Sequence, residues 1–253
     1  MLLCLSAAAG FALRKRLSDT HLSTESLESL RLVTSLLVTF MALVMSLQLS
    51  SVKTSFDNAY HDRDLDAAQL AELDQCLRDY GLETAPARGQ LHSYTAAVIA
   101  STWPDEPPPS GVDYPDTRKM AKVGENPILA ALLNQVGQEV AKLAPGDTLH
   151  QNLAARCRQA YENTQSHRWT VIEDAHGSRS PLFTQILTLW LMLVFLSFGL
   201  QAPRKRLAVI VIGIGIIAVS SAMFVIADLD LPYGGFFGIP STAMRDALAD
   251  MLR

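Results

Sequence analysis

The sequence predicts an all-α integral membrane protein with three clear transmembrane helices, a shortened N-terminal one, and a helical-bundle soluble domain inserted between the spans. Three uncharged apolar stretches predict the clear spans, at residues 32–52, 182–202 and 207–227. An α-helix rises about 1.5 Å per residue, so about 20 apolar residues cross a hydrocarbon core of roughly 30 Å. Charged residues nevertheless make up 18% of the chain. Because so many charges cannot lie in lipid, most of them must belong to a domain outside it.

The N-terminal segment 1–13 is apolar, and Arg14, Lys15 and Arg16 follow it directly. It is shorter than a full span. A signal peptide is one interpretation, but a signal peptide carries its basic residues before the apolar run. We favour the cytoplasmic end of a first transmembrane helix, clipped by a start codon assigned too far downstream. Residues 1–53 would then form an N-terminal membrane hairpin.

Residues 54–181 are expected to form the soluble acidic helical domain. The stretch 54–180 carries 18 acidic and 11 basic residues, a net charge of −7. So acidic a domain disfavours nucleic acid as a partner, because binding requires Lys and Arg at the phosphates. A proline-rich run at 104–111 predicts an exposed loop. Helices are expected at 55–80, continuing the first span, at about 86–103, at about 128–143, and from an N-cap at Asp147 to at least residue 175.

The rest of the chain is predicted to return to the membrane. Residues 182–227 read as a transmembrane hairpin, and residues 228–253 as a C-terminal turn and a short amphipathic helix. Short loops rich in Lys and Arg stay cytoplasmic, whereas long domains cross almost regardless of charge. The basic loops 14–31 and 203–206 are therefore expected in the cytoplasm. This arrangement predicts an extracytoplasmic soluble domain in a multi-pass protein.

Along the first span, polar residues form a stripe. Its members recur every three or four residues: Ser35, Thr39, Ser46, Ser50, Lys53 and Asp57, with Ala42 at the edge. That spacing places them on one helix face. The functional interpretation is a wetted wall of an ion pathway, with Lys53 and Asp57 at its mouth. The alternative is a helix interface, because small hydroxylated residues let membrane helices approach closely. In a homo-oligomeric channel both interpretations hold together.

Two carboxylates, Asp228 and Asp230, follow the third span in a predicted tight turn at the membrane surface. One interpretation is that they collect cations beside a pore. We favour the other, in which they are solvated and cap the following helix at about 241–252.

Cys76 and Cys157 form a possible disulfide. If the helices that carry them run straight from the membrane, the two thiols stand at nearly equal height, and an oxidising compartment would allow them to pair. The favoured interpretation is nevertheless two unrelated buried residues, since a disulfide also requires facing Cβ atoms.

The sequence lacks the common motifs of metal, phosphate-binding and catalytic sites. It contains no HxxxH, HExxH or CxxC pattern, no glycine-rich phosphate loop and no GxSxG elbow. We therefore expect no metal site, no cofactor and no enzymatic activity.

Five segments carry a resemblance to a known family. They are LSSVKTSFD at 49–57, LDQCLRDYG at 73–81, YTAAVIASTWP at 94–104, FLSFGLQAPR at 195–204 and DLDLPY at 228–233. Together they resemble the bestrophin-like family of bacterial membrane proteins, over nearly the whole chain. The most specific segments are KxSFD, FGLxAPR and LDxP. The resemblance implies a multi-pass protein of the bacterial inner (cell) membrane.

The resemblance also implies a function. Bestrophins proper are pentameric ion channels, usually for anions, with four membrane helices per subunit, the second lining the pore, and a large helical domain in the cytosol. Carried over, this makes the stripe the pore wall and the partners a lipid bilayer, inorganic ions and copies of the same chain. The charge pattern points instead to an extracytoplasmic domain whose net charge attracts cations. The leading expectation is an oligomeric ion channel, and the alternative is a membrane-anchored interaction or scaffold protein without transport activity.

Overall fold

The computed structural model describes residues 1–17, 24–120, 124–175, 181–203 and 205–253. Over these residues the chain is helical and has no strand, so the predicted all-α class is confirmed. The helices are α1 (Leu2–Arg16), α2 (Thr24–Tyr80), α3 (Ala85–Thr102), α4 (Pro127–Ala141), α5 (Thr148–Asp174), α6 (Pro181–Gln201), α7 (Arg206–Leu229) and α8 (Thr242–Met251). Arg204, the last residue of the segment FLSFGLQAPR, lies outside the described residues.

Within the described residues, three helices are long and apolar enough to cross a membrane. They are Glu25–Tyr80, Phe183–Gln201 and Arg206–Leu229. The three apolar stretches that predict clear spans lie within them or within a residue or two of their ends. The N-terminal α1 has 15 residues, which is shorter than a full crossing requires.

The chain divides into two compact units. Unit 1 comprises residues 1–54 and 178–230, and unit 2 comprises residues 55–177 and 231–253. The long helix α2 contributes its first part to unit 1 and its remainder to unit 2. Residues 231–253 belong to unit 2, where their helix α8 packs on α3.

In unit 1, α1 runs alongside α6 in the same direction. Near the start of α1, Ser6 donates a hydrogen bond from its Oγ to the carbonyl oxygen of Met192. Near its end, Arg14 Nη1 donates to the carbonyl oxygen of Leu200, at 3.2 Å. Since both partners advance together along the chain, α1 and α6 are parallel.

The first part of α2 lies antiparallel to α6. Gln201 Nε2, at the end of α6, donates to Thr34 Oγ1 near the start of α2, at 2.9 Å. Further along α2, the ring of Phe40 lies 5.3 Å from that of Trp190, centroid to centroid. The end of α1, the start of α2 and the end of α6 therefore meet at one end of unit 1.

Unit 2 has a helical core. Its fully buried side chains include Leu70, Leu73 and Leu77 of α2, Leu91 and Ile99 of α3, Leu133 and Val136 of α4, and Met244 and Met251 of α8. Leucines in register along α2 thus provide a central apolar face. The helix α2 ends just before Gly81, whose φ of +125° is readily adopted only by glycine.

Asp74 holds several elements of unit 2 together. Its carboxylate accepts two hydrogen bonds from Arg88, at 2.9 and 3.1 Å, and one from Arg78 at 2.9 Å. His92 Nε2 lies 2.8 Å from Asp74 Oδ1. Arg88 also donates to the carbonyl oxygen of Met251 at the end of α8, where a cation complements the helix dipole. Burial opposes ionisation, but the bonds from His92, Arg88 and Arg78 outweigh it and lower the pKa of Asp74 to about 2.

Candidate functional site

The polar stripe on α2 lies on the outer face of the helix. Every member of it is exposed in the single chain: Ser35, Thr39, Ala42, Ser46, Ser50 and Lys53 in unit 1, and Asp57 in unit 2. The opposite face packs inside unit 1, where Met41 is buried and Leu37 and Val44 are half-buried. Packing within the chain therefore leaves the stripe open to water, lipid or another subunit.

Two hydroxyl groups of the stripe, those of Ser35 and Thr39, bond to the backbone of the same helix without breaking it. Ser35 Oγ donates to the carbonyl oxygen of Arg31 at 2.9 Å, and Thr39 Oγ1 donates to that of Ser35 at 3.0 Å. This bonding to the preceding turn uses the hydroxyl hydrogen and leaves oxygen lone pairs facing outward. The stripe can therefore accept hydrogen bonds or contact cations.

Leucines border the stripe. Leu36, Leu43 and Leu47 are 72%, 61% and 73% exposed, respectively. Such apolar flanks suit lipid tails or neighbouring helices, whereas exposed hydroxyls suit water or a polar partner. The exposed surface of α2 thus combines a polar strip with an apolar border of leucines beside it.

The basic residues of α1 sit where α6 ends. The last turn of α1 carries Arg14, Lys15 and Arg16. Arg14 donates to the carbonyl oxygens of Leu200 and Ala202. These carbonyls close the C-terminus of α6, where unpaired acceptors and the helix dipole favour a cation. Part of the basic charge of α1 therefore fixes the packing of α6.

The two carboxylates after the third span differ from expectation. Asp228 belongs to the last turn of α7 and Asp230 follows as its C-cap, so they do not form a separate tight turn. Both are buried, at 8% and 7% exposed, which contradicts the expectation of solvated side chains. Asp230 lines a cavity of ≈ 620 Å³ in unit 1, beside Thr184 and Thr188 of α6. Neighbouring backbone and packing, which composition does not reveal, remove both from solvent.

The structure brings together the two cysteines that the preferred interpretation kept apart. Cys76 of α2 and Cys157 of α5 are joined at a distance of 2.10 Å between their Sγ atoms, with Cα atoms 5.5 Å apart. Both side chains are fully buried in the core of unit 2. Cys4 is exposed and unpaired in the described part of the chain.

A second polar cluster escaped the sequence analysis. Arg63, Asp66, Tyr94, Arg168 and Tyr233 line a cavity of ≈ 60 Å³ in unit 2. The available signal was register, because Arg63 and Asp66 follow the buried face of α2 that also carries Ala59, Ala67 and Leu70. Charged residues on a buried face are rare unless they are paired. Across the described ranges, no three His, Cys, Asp or Glu side chains are grouped to hold a metal ion.

Comparison with known proteins identifies the fold. A bacterial bestrophin homologue from Klebsiella pneumoniae, in a crystal structure with a single substitution, is similar with a TM-score of 0.66 and 16% identity, over 100% of this chain and 98% of that one. A second crystal structure, of a membrane protein with a single proline-to-alanine substitution, is similar with a TM-score of 0.57 and 15% identity, over 99% and 97%. No curated protein sequence matches.

A family model decides the relationship, because similarity at such low identity establishes only the fold. The model for the Bestrophin-like domain matches residues 1–244. This match includes all three apolar helices and nearly all of unit 2. The chain therefore belongs to the Bestrophin-like domain family.

Proposed function

We propose that the chain is one subunit of an oligomeric ion channel whose pore is lined by the polar stripe of α2. The observation that carries the proposal is the exposure of that stripe on a membrane-spanning helix whose other face is packed. Several copies placed around an axis would bring their stripes together into a polar wall. Membership of the Bestrophin-like domain family and the similarity to a bacterial bestrophin homologue support this arrangement. A pentamer is the expected assembly.

The proposal places unit 2 outside the cytoplasm. The ends of α1 and α6 and the start of α2 bring the basic residues Arg14, Arg16 and Arg31 to one end of unit 1, and basic ends stay cytoplasmic. The part of α2 that belongs to unit 1 ends at Thr54, away from these basic residues, and the helix continues from there as part of unit 2. The joined pair Cys76 and Cys157 supports the same orientation, because disulfides persist in oxidising compartments.

Labelling in intact cells tests the orientation. In a Cys4→Ser background, Leu82→Cys places a thiol at a position that is 93% exposed in unit 2. Lys205→Cys places one at the exposed turn between α6 and α7. A membrane-impermeant maleimide should label the first variant in intact cells and the second only after lysis. The reverse pattern would show that unit 2 is cytoplasmic.

Current through purified protein in a planar bilayer under a salt gradient tests the pore. Ser46→Leu should reduce conductance by placing an apolar group on the wall, and Lys53→Glu should move the reversal potential by reversing a charge at the mouth. Ser221→Leu, at an exposed serine of α7, and Lys205→Glu are the matched controls that lie off the stripe. The sign of the potential identifies the ion, since the acidic unit 2 favours cations whereas Lys53 favours anions.

The alternative is a membrane-anchored scaffold without transport activity. The small hydroxylated residues of the stripe favour it, because such residues also suit close helix packing. A well-folded oligomer that stays silent across a range of pH and voltage would support the scaffold. Loss of assembly in Ser46→Leu, with no current in the wild type, would support it too.

A further inference from the structure

The cavity in unit 2 lies between helices and is lined by both polar and apolar side chains. Its volume is ≈ 60 Å³, and α2, α3, α5 and the segment after residue 231 contribute its lining. Since a single water needs roughly 10–15 Å³ of cavity, the space is enough for about four waters or one small organic molecule. All of its lining residues belong to unit 2, and none of them is a member of the polar stripe.

Arg63 brings a buried cation to this cavity. Its side chain is 5% exposed, and its guanidinium lies 5.4 Å from the ring centre of Trp103 and 4.8 Å from that of Tyr233. Arg63 Nη1 donates to Asp66 Oδ2 and Nε donates to the Tyr233 hydroxyl, both at a long 3.3 Å. The aromatic rings hold the guanidinium in place. Its five N–H donors exceed these two partners, so it retains donors for an additional acceptor.

Arg168 brings a second buried cation. It is 6% exposed, and its ion pair with Glu125 spans 3.6 Å between Nη2 and Oε1, to a carboxylate at the surface. That distance is too long for a good hydrogen bond. Arg168 also donates a hydrogen bond to the hydroxyl oxygen of Tyr94. Two guanidiniums that have more N–H donors than these acceptors therefore line the same small space.

Asp66 provides a hydrogen-bond acceptor that lacks a donor. It is 3% exposed, and while Oδ2 accepts from Arg63, Oδ1 has no hydrogen-bond partner among the described residues. Burial raises the pKa of Asp66, and the charges of Arg63, His167 and Arg168 oppose that rise. A buried acceptor without a donor is costly, and each such group calls for an explanation. A ligand with a donor at this point would remove the cost.

We propose that this cavity binds a small carboxylate that also carries a hydroxyl group. The carboxylate would accept hydrogen bonds from Arg63 and Arg168, and the hydroxyl would donate to Asp66 Oδ1. Asp66 pairs with Arg63, whereas the carboxylate that pairs with Arg168, that of Glu125, lies 3.6 Å away and is 45% exposed. A bound carboxylate would give Arg168 a buried counter-charge. Planar carboxylates also match the fork of guanidinium donors.

Glycolate and acetate form the matched pair of probes, because they differ by the hydroxyl alone. Both are titrated into the purified full-length protein, and binding is followed by calorimetry and by the rise in Tm. Glycolate should bind saturably and at least about tenfold more tightly than acetate, as expected for loss of one charge-assisted hydrogen bond. Equal affinity for the two would show that no hydroxyl donates to Asp66, and no saturable binding of glycolate would show that the cavity binds no carboxylate; either result would overturn the proposal.

Substitutions test whether glycolate binds in this cavity. Arg168→Gln should weaken glycolate binding by about tenfold or more, since it removes one charged donor. Arg118→Gln is the control, because Arg118 pairs with Asp116 in a fully solvated setting. Unchanged binding in Arg168→Gln would place glycolate elsewhere and overturn the proposal. Should Arg168→Gln fail to fold, the wild-type comparison of glycolate with acetate still decides. Neither measurement depends on conduction, so failure here leaves the channel proposal untouched.

Discussion

Gly10 of α1 and Gly199 of α6 meet at a close crossing of the two helices. A Cβ added to Gly199 would lie 2.3 Å from the carbonyl oxygen of Ala7 and 3.0 Å from the Cα of Gly10. A Cβ added to Gly10 would lie 2.3 Å from the carbonyl oxygen of Leu196. Backbone atoms cannot swing aside as side chains do, so only glycine permits this approach. The short helix α1 is therefore an integral part of unit 1.

Gly199→Ala should destabilise the protein by about 1–3 kcal/mol, because its methyl group must push two backbones apart. The measurement is thermal unfolding of the detergent-solubilised protein. Gly213→Ala is the control, since a Cβ at Gly213 in α7 meets nothing within 4 Å. It should be neutral or slightly stabilising, as alanine favours helix. Equal effects of the two substitutions would contradict the close crossing.

Asp74→Asn should lower the free energy of unfolding by about 3 kcal/mol, because it leaves Arg78 and Arg88 without their shared anion. Chemical unfolding at neutral pH measures the loss. The matched control is Asp116→Asn, which breaks an ion pair whose side chains are 57% and 87% exposed and should therefore have little effect on stability. Because the pKa of Asp74 is about 2, its contribution is present above pH 4 and is lost as pH falls towards 2.

Asp174 should give the opposite pH dependence. Burial raises its pKa to about 6, and the neighbouring Asp62 adds to the rise. The fold therefore favours the protonated form, so the stabilising contribution is present below the ordinary pKa and is lost as pH rises through about 6. Between pH 4 and pH 7 the wild type should lose about 1 kcal/mol relative to Asp174→Asn, after allowance for solvent screening.

Unfolding of both proteins across this pH range measures the difference. Glu162→Gln, at an exposed carboxylate of the same helix, should follow the wild type. A wild type and an Asp174→Asn variant with parallel pH profiles would show that Asp174 titrates normally.

The pair Cys76 and Cys157 should resist alkylation in denaturant without reductant, so that Cys4 alone is modified. The disulfide closes a chain separation of 81 residues, for which restriction of the unfolded chain predicts a stabilisation of about 4 kcal/mol. Reductant should therefore lower the unfolding midpoint of the wild type. The double variant Cys76→Ala and Cys157→Ala should be insensitive to it, whereas Cys4→Ala should behave like the wild type. Alkylation of all three cysteines before reduction would show that the disulfide does not form.

The long helix α2 shows how much of the structure a local sequence pattern can predict. Continuous apolar and helix-forming residues predicted one helix from the first span to Tyr80, and α2 ends there, because Gly81 follows with a positive φ. The periodicity of Ser35, Thr39 and Ser46 predicted a shared face. That face is exposed in the structure, while its role in conduction stays a prediction.

Other features depend on residues far apart in the chain. Asp228 and Asp230 looked solvated because their neighbours in sequence form a polar turn, but folding buries them. The Asp66 cavity assembles side chains from several helices, and one sequence contains no measure of which helix faces meet. The local signal for this cavity was that Arg63 falls in register with buried alanines of the same helix.

The sequence by itself determined the helical class, the apolar spans, the acidic segment and the family, since composition and periodicity act within one helix and short motifs are read directly. The tertiary structure alone decided the crossing of Gly10 with Gly199, the union of Cys76 with Cys157 and the cavity around Asp66. Each of these depends on packing between distant segments. Packing requires surfaces to fit within a few tenths of an ångström, and the order of residue types along the chain does not show which surfaces fit.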